Sequence, residues 1–109
     1  MPTRLLYDTA MRALTLDLSD SASRPYFLWD EDVSLAELRS ALGGARGEAE
    51  RLRLLGKLLR EARDQDVWSL VTPSEVAAAL PQLGRRLGRR GPFWEFLIAG
   101  WRDDGLLAG

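Results

Sequence analysis

Glu48-Ala49-Glu50-Arg51-Leu52-Arg53-Leu54-Leu55-Gly56-Lys57-Leu58-Leu59-Arg60-Glu61-Ala62 is the stretch whose reading decides the fold. Its apolar residues Ala49, Leu52, Leu55, Leu59 and Ala62 recur at intervals of three and four, which places them on one face of a helix, and Leu54 and Leu58 widen that stripe. A helix is predicted from Gly47 or Glu48 to about Ala62, the longest in the chain. Arg53, Lys57 and Arg60 align at i, i+4 and i+7 on another face. They read either as a basic strip or as a solvated face relieved by Glu50, Glu61 and Asp64.

Toward the N-terminus, Ser34-Leu35-Ala36-Glu37 matches a capping box, in which the serine hydroxyl accepts from the Glu37 N–H and the glutamate reaches back. It starts a helix that should run from about Leu35 to Leu42, and Gly43-Gly44 stops it. Arg24-Pro25-Tyr26-Phe27-Leu28-Trp29-Asp30 precedes it and reads as an extended lid or a short helical turn, because proline biases its predecessor to extended geometry. Tyr26, Phe27 and Trp29 either cap one end of the core or form a recognition surface. Residues 4 to 18 carry Leu5, Leu6, Met11, Leu14 and Leu18 in an irregular helical pattern that ends at a small polar linker, so residues 1–24 read as an arm or a weak helix.

Toward the C-terminus, Asp64-Gln65-Asp66-Val67-Trp68 reads as a helix start, since it has too few oxygen ligands for calcium and no loop glycine. Thr72-Pro73-Ser74-Glu75 is a second capping box with proline in the first turn, and Pro81 should close that helix or open a short next one. From Pro81 to Leu87 one or two turns would face Leu83 and Leu87 inward and Arg85 and Arg86 outward, until Gly88 breaks them. Gly91-Pro92 then reopens a helix that should reach Arg102 or Asp104 before Gly105. Between Phe93 and Trp101 only Glu95 is charged, so this last helix is expected to be largely buried, or to turn half of itself to another chain. With no strand-like alternation and short loops, the fold expected is all-α: a compact bundle of about five or six short helices in a single domain over residues 25–109.

The 109 residues are 46% apolar, the usual size of one domain with one modest core. Their net charge of −1 hides an uneven layout: residues 1 to 32 hold six acids against three arginines, and residues 85 to 90 hold four arginines and no acid. Of the fifteen basic residues only Lys57 is not arginine, a bias that suits planar recognition of carboxylate or phosphate and equally suits a GC-rich coding sequence. Cysteine and histidine are absent, which removes thiolate zinc sites, cysteine nucleophiles and every mechanism with a histidine base. No catalytic, cofactor-binding or metal-binding set is expected, and no enzyme. No apolar run approaches the roughly 20 residues of a membrane span, which makes the cytoplasm the expected location.

The candidate partner or anion site is Arg85, Arg86, Arg89 and Arg90, with Tyr26, Trp29, Trp94 and Trp101 as an aromatic platform. Arg89 and Arg90 precede a helix N-terminus and Asp103 and Asp104 close the same helix, each opposing the helix dipole by about 0.3–1 kcal/mol. Such charges imply partners, either internal or from another molecule. The glycine-flanked turn could receive a phosphate or carboxylate on its N–H groups. A helix-turn-helix using Pro73 to Leu80 and the arginine segment is the sharper nucleic-acid version, but Gly84, Gly88 and Gly91 interrupt its recognition helix.

Tyr26-Phe27-Leu28-Trp29-Asp30, Leu55-Gly56-Lys57-Leu58-Leu59-Arg60-Glu61-Ala62-Arg63 with Asp66-Val67-Trp68, Thr72-Pro73-Ser74-Glu75-Val76, and Phe93-Trp94-Glu95-Phe96-Leu97 with Trp101-Arg102 and Gly105-Leu106-Leu107 together resemble a group of small uncharacterised bacterial proteins. That group is encoded near nucleotidyltransferase toxins of the abortive-infection AbiE type. The resemblance covers residues 25 to 107, carries no catalytic motif, and implies an antitoxin-like or accessory partner of such a toxin. The expectation is therefore a non-enzymatic protein-interaction module, with a small nucleic-acid-binding protein as the alternative and a homodimer through the last helix also open.

Overall fold

A computed structural model describes residues 13–107. The order along the chain is β1 (Leu14–Thr15), β2 (Arg24–Pro25), a 3-10 turn at Tyr26–Leu28, α1 (Leu35–Leu42), α2 (Glu48–Glu61), a single turn α3 (Asp64–Val67), α4 (Pro73–Leu83), a 3-10 segment over Gly84–Arg90, and α5 (Gly91–Asp103). The fold is mostly helical, with one short parallel strand pair in the register Leu14↔Arg24 and Thr15↔Pro25. That pair corrects the helical reading of residues 14–18, and residues 1–12 of the expected arm or weak helix lie outside the described residues. The strands form because the loop between them is closed by its own polar side chains. Asp17 accepts from the Ser19 hydroxyl, Asp20 accepts from the Ser23 hydroxyl, and the Arg24 N–H then reaches the Ala13 carbonyl at 3.0 Å.

Both capping boxes are present. Ser34 and Glu37 start α1, and Thr72 and Glu75 start α4, each with the hydroxyl and the carboxylate bonded in the reciprocal sense. Helix α4 runs through Pro81 to Leu83 rather than closing at the proline. Buried Leu83 holds that last turn against the core, where packing outweighs one missing backbone donor.

The core centres on α2, whose Leu54, Leu55, Leu58 and Leu59 are all buried. Val76, Ala77, Ala79 and Leu83 of α4, Leu87 beyond it, and Leu35, Leu38 and Leu42 of α1 close around them. Trp94 is fully buried, and its indole N–H donates to the Leu59 carbonyl at 2.8 Å. Leu59 lies in the last turn of α2, where carbonyls lack helical partners, so this bond both satisfies the tryptophan and finishes the helix.

The last helix departs from expectation. Only Trp94 and Ile98 of α5 are fully buried, and Phe96 is 80% exposed. A single apolar stripe is enough to dock a helix on a bundle this small, so the opposite face is left on the surface.

Candidate interaction surface

The segment Gly84–Arg90 leaves α4 and enters α5 as a short, sharply bent run. Gly84 and Gly88 sit at φ 49° and φ 54° with strongly negative ψ, a region only glycine occupies without strain. These two bends flank Leu87, which plugs into the core, and they leave Arg85, Arg86 and Arg89 exposed. The segment is held from below by α2. Arg60 donates to the Arg86 carbonyl at 2.7 Å, and the Arg86 stem rests where a Cβ on buried Gly56 would meet it at 3.4 Å.

The four arginines divide. Arg90 is paired inside the molecule: it bonds Asp64 and stacks on Phe93, with its guanidinium 4.4 Å from that ring centre and 5.5 Å from Trp94. Its buried Nε has no hydrogen-bond partner. Arg85, Arg86 and Arg89 make no side-chain hydrogen bond or ion pair among the described residues. No continuous helix carries the four, so the segment does not form the recognition helix of a helix-turn-helix.

The aromatic candidates occupy separate settings. Trp94 is core, and Trp101 is half-buried with its ring 5.5 Å from that of Trp68. The Tyr26 hydroxyl donates to Asp66 at 2.6 Å and accepts from the Arg63 N–H at 2.8 Å, while burial, followed by Asp66, pushes its acidity down and its pKa up. Trp29, 58% exposed, is the member with most of its ring available on the surface. Trp94 lies behind the paired Arg90 rather than behind a free arginine.

The possible basic strip on α2 is neutralised. Arg53 binds Glu50 and Glu31, Arg60 pairs with Glu61, and buried Lys57 bonds Asp30 and, at 2.6 Å, Glu31. Arg53, and then Lys57, hold the Glu31 carboxyl at about 2 against burial, which works in the opposite sense. Burial opposes the Lys57 charge, but Asp30 and Glu31 outweigh it and its pKa rises.

The sequence left open whether α5 is largely buried or turns half of itself outward, and did not say which residues form its outer face. Pro92, Phe96, Ala99 and Asp103 are exposed there, and Asp103 and Asp104 pair with no described residue. The signal was present as a spacing of four, three and four, but a nearly uncharged helix hides which of its faces is wet. Between α4 and α5 lies an open cleft of about 240 Å³ lined by Ala77, Leu80, Pro81, Glu95, Ile98, Ala99 and Arg102. It is smaller than the usual ligand pocket of roughly 300–1,000 Å³.

Among the described residues no group of three or more acidic, histidine or cysteine side chains is placed to hold a metal, and no helix is long and apolar enough to cross a membrane. Comparison with known proteins finds no match: no family model, no curated protein and no solved structure.

Proposed function

We propose that this chain is a non-enzymatic, cytoplasmic protein-interaction module that offers Arg85 and Arg86 to acidic or phosphate groups on a partner. The observation that carries this reading is the contrast within one segment: Arg90 is consumed by Asp64 and two aromatic rings, whereas its three neighbours are exposed without carboxylate partners among the described residues. Planar guanidinium groups pair bidentately with carboxylate or phosphate, and the braced turn has already fixed the backbone that carries them, which suits recognition. The resemblance to proteins encoded near AbiE-type nucleotidyltransferases makes such a toxin the first partner to try, in an antitoxin-like pairing.

The test is co-expression with a nucleotidyltransferase toxin of the AbiE type, followed by size exclusion. Co-elution that is lost in Arg85→Glu/Arg86→Glu supports the reading. Absence of a complex, or a complex indifferent to that double variant, overturns it. The second reading, nucleic-acid binding, draws on the same free guanidinium groups. It would be favoured by salt-dependent affinity for duplex DNA that falls when Arg85, Arg86 and Arg89 become alanine.

A further inference from the structure

We propose that a second copy of this chain docks antiparallel along the outer face of α5, forming a two-fold dimer centred on Phe96. Pro92, Phe96, Ala99 and Asp103 lie on that face at spacings of four, three and four, and Arg89 lies two residues before α5, in the 3-10 turn that leads into it. All five are exposed. A spacing of alternating threes and fours is the seam of two helices packed along their length.

Charge identifies the occupant. Arg89 stands at the N-terminal end of α5 and Asp103 at its C-terminal end, each unfavourable to the dipole of its own helix and neither paired among the described residues. In an antiparallel pair centred on Phe96, Arg89 comes opposite Asp103 of the other copy, because the two lie seven residues to either side of the centre. Each aspartate then sits beside the partner helix's N-terminus and each arginine beside its C-terminus. The misplaced charges become correctly placed ones, at both ends of the seam at once.

Shape agrees with charge. Gly100 lies within α5, where glycine costs about 1 kcal/mol relative to alanine, yet a Cβ built on it meets nothing within 4 Å. No described residue of the single chain requires it to be glycine. In the same register Gly100 comes opposite Pro92 of the other copy, where a missing side chain lets two backbones approach. The 80%-exposed Phe96 ring meets its own counterpart on the axis. Arg85 and Arg86 lie outside the seam and stay available for a different partner.

Sedimentation over a wide concentration range tests this on the full chain. The expected mass rises with concentration from 12.2 kDa toward twice that value, since a one-helix seam is a small interface. Phe96→Arg and Asp103→Arg should each weaken the dimer by about tenfold or more, and Arg89→Asp/Asp103→Arg should recover most of the loss. Asp103→Arg also removes an acid from a helix C-terminus, so its monomer should melt no lower than the parent, which separates lost docking from lost folding. Arg85→Glu/Arg86→Glu should leave the dimer intact. A mass of 12.2 kDa at every concentration, a dimer insensitive to Phe96→Arg, or a charge swap no better than its single changes would overturn the proposal.

Discussion

Around the middle of α2, Arg53 and Lys57 share Glu31, Arg53 adds Glu50 and Lys57 adds Asp30. In the Gly84–Arg90 segment and α5, by contrast, Arg85, Arg86, Arg89, Asp103 and Asp104 make no ion pair among the described residues. The residue types are the same and their uses differ. Near α2 the charges tie the Asp30–Glu31 loop to the helix, two segments more than twenty residues apart in the chain. In the later region the backbone is positioned without them, by Leu87, Trp94 and the Arg60 bond to the Arg86 carbonyl.

Trp94→Ala should break this division most severely, because Trp94 joins the later region to α2 through its packing and its bond to the Leu59 carbonyl. The expected loss is about 3–5 kcal/mol, read from urea unfolding, with the Leu59 carbonyl left unsatisfied as well. A loss under about 1 kcal/mol would mean that α5 is docked by something else.

Acid should weaken the paired region selectively. The Glu31 carboxyl is held at about 2, below its ordinary 4.5, chiefly by Arg53 and then by Lys57. Its contribution to stability is fully present above about 4.5 and is lost as pH falls from there through about 2. For a mostly covered group on the surface the loss is on the order of 2 kcal/mol. Unfolding midpoints across that range should show it, and Glu31→Gln should flatten the slope; an unchanged slope would remove Glu31 from the account.

The smallest effect belongs to the free arginines. Arg85→Ala/Arg86→Ala should move stability by no more than about 0.5 kcal/mol, since neither side chain has a charged partner among the described residues. A larger loss in urea would show that their stems, including the Arg86 contact over Gly56, carry structural weight.

How much was legible follows the range of the interactions. Ser34 with Glu37 and Thr72 with Glu75 were readable because a capping box closes within four residues. The inward set of Leu83 and Leu87 and the outward Arg85 and Arg86 were readable for the same reason. The choice of Asp64 as partner for Arg90 was not, because the two lie 26 residues apart. The strand pair at Leu14 and Arg24 likewise depends on a loop closing on itself, and a two-residue ladder leaves no alternation to detect. Of the candidate site, the arginine run stood out in the sequence, but the removal of Arg90 and Trp94 from its surface did not.

The sequence by itself determined where the main helices start, and that α2 would be apolar enough to organise a core, since capping and periodicity are local properties of the chain. Only the tertiary structure decided which charges are spent and which remain. Pairing needs groups brought within a few ångströms, and that proximity is set by how α2, the Gly84–Arg90 segment and α5 pack, not by their spacing along the chain. The same packing decided that α5 buries one stripe and leaves Phe96 outside, because a core of this size covers one side of its last helix and no more.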